Sequence, residues 1–294
     1  MKIVRQRVDG VLLLNKPVGL SSNTALQKAK WLLAALKAGH TGTLDPFADG
    51  LLPLCFGEAT KFSGYLLESD KRYRATLQLG ITTSTGDPEG EVLVERPVNV
   101  HCEEVAAVLP RFLGEIEQVP PMHSALKHQG RPLYEYARAG IDIERPPRKI
   151  RIATLDLVEC APPRVVLDVA CSAGTYVRTL AQDIGETLGC GAHLTGLTRT
   201  AAGGFELVHA HTLDALEALS PDARRALLMP PDSLLAHLPA VQLDEPGASA
   251  LRQGRSATCP AAPSGLTRVY RGPAFIGLAD AAAGRLTPRR LMAT

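Results

Sequence analysis

Residues 39–61 constrain the fold of this chain more than any other stretch. The first half contains Gly42, Pro46 and Gly50 at close spacing, which predicts a loop rather than a helix or a strand. The second half becomes apolar over residues 51–56, as is typical of a short buried strand. A loop that leads into such a strand can hold a polar side chain at the rim of a core, and Asp45 is the candidate for that position.

The local pattern around Asp45 leaves two interpretations open. An Asp followed by Pro46 is an ordinary helix start, with Asp as the N-cap and Pro at the first helical position. Alternatively, Asp45 is a functional carboxylate surrounded by His40, Thr41 and Thr43. A phosphate-binding P-loop is excluded, because the order Gly, four residues, Gly-Lys-Ser/Thr is absent.

Three runs of residues extend the pattern around Asp45. They are Gly-His-Thr-Gly-Thr-Leu-Asp-Pro at 39–46, Gly-Leu-Leu-Pro at 50–53 and Gly-Glu-Ala-Thr-Lys at 57–61. Together they resemble the catalytic motif of the TruB-type tRNA pseudouridine synthases, and a match of this length is far more specific than a lone glycine-rich signature. The resemblance implies that Asp45 is the catalytic residue. It also implies that His40 fills the space vacated by a flipped nucleotide.

Two further segments resemble motifs of the same family. Residues 15–22, Asn-Lys-Pro-Val-Gly-Leu-Ser-Ser, match a signature whose role is mainly structural, so Lys16 is a weak site candidate. Residues 69–73, Ser-Asp-Lys-Arg-Tyr, resemble a motif whose tyrosine lies against the target base. From the residues alone, Tyr73 on the apolar face of an alternating strand is a core residue. The resemblance instead assigns Tyr73 to the substrate, and a family-like turn suggests that Asp87 shapes the site.

A strand-to-helix junction near residue 176 supplies three more candidates. On an ideal helix Tyr176 and Arg178 do not share a face, so the simple interpretation is that one packs and the other extends its charge to solvent. At a junction both can still reach one pocket. The run Gly-Thr-Tyr-Val-Arg resembles a family motif whose arginine pairs with the catalytic aspartate. In relatives, the leucine that matches Leu197 packs beside the reacting base.

Positive charge is concentrated in residues 121–151. This segment has seven Lys or Arg and three acidic residues, whereas the whole chain has a net charge of only +2. A solvated charged helix would explain the pattern, and so would an RNA-binding segment that neutralises phosphates and stacks tyrosines on bases. The segment resembles the RNA-gripping insertion of the family. The RNA-binding candidates are Lys127, Arg131, Arg138, Arg148 and Lys149.

Composition predicts a cytoplasmic protein without a membrane span or a metal site. The apolar run at residues 11–14 is too short for a signal peptide, and no stretch approaches the roughly 20 apolar residues of a membrane helix. Cys190 and His193 have ligand-like spacing but lack a second pair, so no zinc site is expected. All six cysteines are scattered through the chain and are expected to be reduced; they are Cys55, Cys102, Cys160, Cys171, Cys190 and Cys259.

The resemblance implies an α/β (α+β) pseudouridine synthase fold, with a mixed, mostly antiparallel sheet, flanking helices and a central cleft. The expected domains are a catalytic one at 1–238, which includes the insertion, and a small PUA-like β barrel at 239–294. The implied function is isomerisation of uridine 55 in the T-loop of tRNA, by a monomer and without a cofactor. The alternatives are a non-catalytic RNA-binding or tRNA-folding protein, or a synthase for another RNA.

This chemistry gives Arg178 a physical role. The reaction breaks the C1′–N1 bond, rotates the uracil and rejoins it through C5, and one carboxylate can act as nucleophile or stabilise charge at C1′. Burial would raise the pKa of Asp45, and an adjacent guanidinium would oppose that shift.

Overall fold

A computed structural model describes residues 4–293 as a mixture of helices and strands. The helices are α1 (Ser22–Leu32), α2 (Ser63–Leu67), α3 (Cys102–Val108), α4 (Leu133–Arg138), α5 (Val177–Thr187), α6 (Leu213–Ala218), α7 (Pro221–Ala226) and α8 (Glu245–Arg252). The first nine strands are β1 (Gly10–Lys16), β2 (Ala38–His40), β3 (Asp49–Phe56), β4 (Lys71–Leu79), β5 (Ile81–Thr83), β6 (Val92–Glu95), β7 (Gly114–Gln118), β8 (Lys127–His128) and β9 (Arg131–Pro132). The others are β10 (Arg148–Ala161), β11 (Arg164–Cys171), β12 (Ala192–Ala202), β13 (Phe205–Glu206), β14 (Ala240–Gln242), β15 (Ala257–Thr258), β16 (Gly265–Arg271), β17 (Ala274–Ala282) and β18 (Arg285–Leu291).

A nine-stranded sheet forms the centre of the molecule, in the order β1-β3-β12-β4-β11-β10-β7, with β2 paired to β3 and β13 paired to β12. The pairing of β3 with β12 is parallel, and the other described pairs of this sheet are antiparallel. This architecture confirms the predicted mixed, mostly antiparallel sheet. The parallel pair brings the start of β3, directly after the Asp45 loop, beside β12.

The central sheet is buried on both faces where β1 runs. Side chains of a strand alternate between faces, and Leu12 and Leu14 accordingly join the core that contains α1 and α5. Val11 and Leu13 point to the opposite face and join a second core. That core includes Leu278 of β17, so the C-terminal part of the chain packs against this second face of the central sheet.

The C-terminal part is a second sheet of five strands, in the order β14-β16-β17-β18-β15. Helix α8 packs Ala248 and Leu251 into its core. Lys61 Nζ donates a hydrogen bond to Leu291 O at 3.0 Å, and the rings of Phe62 and Phe275 lie 5.5 Å apart. These contacts fix the second sheet onto the segment that follows β3. Within residues 4–293, no helix is long and apolar enough to cross a membrane.

Several predicted boundaries are wrong for local reasons. The spacing of Leu26, Leu33 and Leu36 predicts a helix that reaches about Lys37. Helix α1 instead ends at Leu32, because Ala34 has a φ of +50° and the chain then enters β2. The alternation of apolar residues predicts one strand over residues 71–81, but this segment is divided at Gly80, whose φ is +87°. Asp45 does not cap a helix: its carbonyl accepts a hydrogen bond from Ala48 N at 3.1 Å, which closes a turn.

The expectation that all six cysteines are reduced is also wrong. Cys102 at the start of α3 and Cys160 at the end of β10 form a disulfide, with their Cα atoms 5.8 Å apart. Their separation of 58 residues along the chain gave no indication of this, because folding back of the β10 strand against α3 brings them together. Cys55, Cys171 and Cys190 are free and buried.

Candidate active site

Asp45 lies in the turn between β2 and β3, and the N-terminus of α1 holds this turn in place. The Ser22 hydroxyl donates to Leu44 O at 2.8 Å and accepts from Leu44 N at 2.7 Å. Lys16 Nζ lies 3.5 Å from Pro46 O and is buried, which lowers its pKa to about 8. These contacts support the structural role expected for Lys16.

The Arg178 side chain contacts the segments that surround Asp45. Its Nε lies 3.0 Å from Asp45 Oδ2, and its Nη1 lies 3.2 Å from Asp87 Oδ2. The same guanidinium donates to Thr85 O at 2.8 Å and to His123 O at 2.7 Å. One buried arginine at the start of α5 therefore joins the Asp45 turn, the turn after β5 and the first part of the basic insertion.

The two carboxylates beside Arg178 differ in exposure. The Asp45 side chain is 36% exposed, whereas that of Asp87 is 4% exposed. Burial raises the pKa of Asp45 above its ordinary value, Arg178 opposes the shift, and the negative charge of Asp87 adds to it. The expected opposition between burial and guanidinium is present, and burial has the larger effect on this pKa.

A cavity of about 280 Å³ opens beside Asp45 and contains most of the predicted site. Tyr73 enters it from β4 and Leu197 enters from β12, so the two adjoining strands form its floor. Burial raises the pKa of the Tyr73 and Tyr176 phenols. The predicted residues that line this cavity are Asp45, Tyr73, Tyr176, Arg178 and Leu197.

Tyr176 is positioned by its backbone just before α5. Its N–H donates to Gln118 Oε1 at 2.8 Å, and Gln118 Nε2 donates back to Tyr176 O at 3.1 Å. Gln118 is paired across strands with Arg148, the first residue of β10. The junction therefore places Tyr176 and Arg178 in one cavity although they are two residues apart.

His40 is not among the residues that line this cavity. It ends β2, pairs with Leu54 of β3, and its Nδ1 is buried without a hydrogen-bond partner among the described residues. Burial and the nearby charge of Arg199 lower the pKa of His40. Both effects favour the neutral form of the imidazole.

The basic insertion stands over the same cleft. Arg138 lines a second cavity of about 240 Å³ together with Asp45, Asp87 and Tyr134. Its guanidinium lies 5.4 Å from the Tyr134 ring centroid. Arg131 forms an ion pair with Glu135, and its guanidinium lies over the ring of Tyr136. All the candidate basic residues of the insertion are exposed: Lys127, Arg131, Arg138, Arg148 and Lys149.

Sequence reasoning missed two buried cations that line the main cavity. Arg199 is 1% exposed and donates from Nε to Leu51 O at 2.7 Å and from Nη2 to Gly42 O at 3.2 Å. Lys71 donates to the carbonyls of the α2–β4 turn, and burial lowers its pKa to about 8. The signal for Arg199 was that it is the one Lys, Arg, Asp or Glu in strand β12. Within the described chain, no group of three or more His, Cys, Asp or Glu side chains is arranged to hold a metal ion.

The fold has close matches among solved structures. A chain in the crystal structure of a Cbf5-Nop10-Gar1 complex superposes with a TM-score of 0.71 at 27% identity, covering 92% of this chain and 78% of that one. A chain in the archaeal box H/ACA sRNP Nop10-Cbf5 complex matches with a TM-score of 0.72 at 24% identity, covering 97% and 86%. The second match supports the fold alone. The mixed sheet with its flanking helices has the pseudouridine synthase fold, which defines the class of the protein.

The sequence identifies the family within that class. Residues 30–177 match the N-terminal domain of the TruB family pseudouridylate synthases, and residues 178–236 and 239–292 match two TruB C-terminal domains. The chain belongs to the TruB family. A tRNA pseudouridine synthase B of Thiobacillus denitrificans is 70% identical over 100% of this chain and 99% of that protein. One of Burkholderia mallei is 56% identical over 100% and 97%.

Proposed function

We propose that this enzyme converts uridine to pseudouridine at position 55 in the T-loop of tRNA, with Asp45 as the reacting carboxylate. Relatives of full length at 70% and 56% identity are tRNA pseudouridine synthases, so the chain is an isomerase that acts on tRNA. The observation that carries the assignment of Asp45 is its partly exposed carboxylate, 3.0 Å from Arg178 at the edge of a cavity with an aromatic lining.

The reaction proceeds at C1′ of the ribose. Asp45 attacks C1′, the N1–C1′ bond breaks, and its electron pair leaves with the uracil. After the ring rotates, C5 bonds to C1′ and the carboxylate is released; C5 loses its proton and N1 gains one. Atoms and electrons balance within the substrate. Arg178 favours the ionised form of Asp45, which the attack requires.

The cavity walls receive the extruded base. Flipping a nucleotide out of its stack costs a few kcal/mol, and stacking on an aromatic ring returns about 1–3 kcal/mol. Tyr73 is the ring against the base, with Tyr176 and Leu197 completing the wall. His40 takes the place of the flipped nucleotide in the RNA, a role that its neutral imidazole suits.

The RNA is held outside the cavity by a separate surface. The basic residues of the insertion neutralise phosphates of the T-arm. Two of them, Arg131 and Arg138, lie over the rings of Tyr136 and Tyr134. The catalytic domain spans residues 1–238, with the insertion at about 121–151, and residues 239–294 form a PUA-like RNA-binding domain. The enzyme works as a monomer in the cytoplasm.

The test is tritium release from C5-labelled uridine in an unmodified tRNA transcript. The wild-type enzyme should release tritium, and Asp45→Asn should not, although it still binds the transcript. Asp168→Asn is the matched control, because Asp168 is exposed in an ion pair with Arg74 on the outer face of the sheet. A transcript with cytidine in place of uridine 55 should give no release. Release by Asp45→Asn would assign the chemistry to another residue, and release from the cytidine transcript would assign it to another uridine.

A further inference from the structure

Arg199 binds the two ends of the segment that carries Asp45. Its Nη2 donates to Gly42 O at 3.2 Å, before Asp45, and its Nε donates to Leu51 O at 2.7 Å, after Asp45. The residue is 1% exposed although it is charged. A planar guanidinium presents several donors in a fixed arrangement, so it can bind two carbonyls at once. The turn is thereby tied to β12 at both sides.

Arg199 is also the direct cross-strand neighbour of Tyr73. The two residues face one another in the antiparallel pair of β12 and β4, and both line the main cavity. Side chains directly opposite in such a pair have Cβ atoms about 4.5–5.5 Å apart. The same side chain that holds the Asp45 turn therefore lies beside the ring on which the base is proposed to stack.

The backbone around Arg199 leaves little freedom for the turn. Gly50 is paired with Arg199 across the parallel strands and has a φ of +97°. A Cβ atom on Gly50 would lie 2.5 Å from Arg199 O. The close approach of the two backbones fixes the position of the Arg199 backbone relative to β3. The hydrogen bonds of its guanidinium then fix the position of the Asp45 turn.

We propose that Arg199 is a positioning residue for the isomerisation. It fixes the distance between the Asp45 turn and Tyr73, so that a base stacked on the ring presents C1′ to the carboxylate. The inference rests on the proposed roles of Asp45 and Tyr73. A positioning role differs from a purely structural role because it predicts a lower kcat in an enzyme that is still folded. The basic insertion binds the RNA elsewhere, so loss of the guanidinium should lower kcat and leave KM for tRNA nearly unchanged.

Two substitutions separate the geometry from the charge. Arg199→Lys keeps the positive charge, but a single ammonium cannot reproduce the planar fork across Gly42 and Leu51. Arg199→Met removes the charge and keeps an unbranched apolar chain. The control is Arg74→Met, which removes an arginine from the adjoining position of β4, where the side chain faces solvent and pairs with Asp168.

The measurements are kcat and KM for tritium release, with circular dichroism at the assay temperature to show that each variant is folded. We expect Arg199→Lys to lose at least tenfold in kcat with KM within about threefold of wild type, because displacements of about 1 Å can cost a hundredfold in rate. Arg199→Met should lose more, and Arg74→Met should match wild type.

Three results would overturn the proposal. One is a folded Arg199→Lys enzyme with wild-type kcat. Another is a rise in KM that accounts for the whole loss, which would make Arg199 an RNA-binding residue. The third is a loss of kcat that disappears at a lower temperature where the variant is fully folded, which would make its role structural. If Arg199→Met does not fold, the kinetics of Arg199→Lys alone test the positioning role. An inactive wild-type enzyme would instead refute the proposed function.

Discussion

The Nε atom of Arg178 lies 3.0 Å from Oδ2 of Asp45, and this contact joins the start of α5 to the turn before β3. The arginine is held on its other side by Asp87 and by two backbone carbonyls. Its position is therefore set before any substrate arrives. A preorganised charge of this kind stabilises an ionised carboxylate without further rearrangement.

The pH dependence of activity should depend on Arg178. Asp45 must be ionised to attack C1′, and its pKa lies above the ordinary value despite the arginine. Activity therefore falls as the pH drops through this raised pKa. In Arg178→Met the opposing charge is gone, so the pKa rises further and the acid limb of kcat/KM moves to higher pH. A loss of about 10²–10³ in kcat accompanies it.

A pH profile of tritium release between about pH 5 and pH 9 measures this effect for wild type, Arg178→Lys and Arg178→Met. Arg178→Lys retains a charge near Asp45 and should lie between the other two. An acid limb that coincides in all three enzymes would show that Arg178 does not act on the ionisation of Asp45.

Asp87 should matter more for stability than an exposed carboxylate in a comparable ion pair. Its side chain is 4% exposed and faces Arg178, whereas Asp168 is 41% exposed and faces Arg74. Removing one partner of a buried pair costs about 3–5 kcal/mol, and removing one from a surface pair costs about 0–1 kcal/mol. Urea unfolding of Asp87→Asn and Asp168→Asn should show this difference in the free energy of unfolding. Equal losses would mean that the buried pair is not tighter than the surface pair.

The elements next to the site were predictable where the local pattern is strong. The apolar run at residues 51–56 is the main part of β3, and the paired prolines at 162–163 mark the turn between β10 and β11. The grouping of Asp45, Tyr73 and Arg178 came from a family resemblance, because residues on three distant segments carry no local sign that they meet.

Other features had no usable signal in the sequence. The carbonyl acceptors of Arg199 belong to the backbone, which has the same groups at every residue, so Gly42 and Leu51 could not be inferred as its partners. The pairing of Cys102 with Cys160 depends on how α3 packs on the sheet. Helix α7 lies in a proline-rich passage where the apolar pattern is weak.

Binding of tRNA should weaken when basic residues of the insertion are removed. Arg148 and Lys149 are exposed at the start of β10, next to the cleft. If each contacts one phosphate, the double variant to alanine should raise KM and reduce the slope of log K against log salt by roughly 1.4–1.8. The control Arg164→Ala removes an exposed arginine paired with Glu159 at the far end of the same hairpin. Unchanged salt slopes for the double variant would exclude these residues from the RNA contact.

The disulfide should appear in a thiol titration. Of six cysteines, four are free, so denatured protein prepared without reductant should titrate four thiols, and reduced protein should titrate six. Closing a loop of this size stabilises a fold by about 2–4 kcal/mol, so a reductant should lower the free energy of unfolding by that amount. The variant with both Cys102→Ser and Cys160→Ser should show no response to reductant. Six thiols without reductant would contradict the disulfide.

Asp183 should destabilise the enzyme at neutral pH. Its carboxyl lies on α5, without an ion pair among residues 4–293, and burial raises its pKa from 3.8 to about 6. The pKa of Asp183 is higher in the folded than in the unfolded protein, so protonation of this carboxyl favours the folded state. This contribution to the free energy of unfolding is complete below about pH 4 and is lost as the pH rises through 6. Asp183→Asn should therefore raise the free energy of unfolding at pH 8 by about 1–2 kcal/mol, allowing for solvent screening, and change it little at pH 4. The control Asp222→Asn removes a carboxylate that is 98% exposed and should change the free energy of unfolding by less than about 0.5 kcal/mol at either pH. Equal effects of Asp183→Asn at both pH values would show that the buried charge is not their cause.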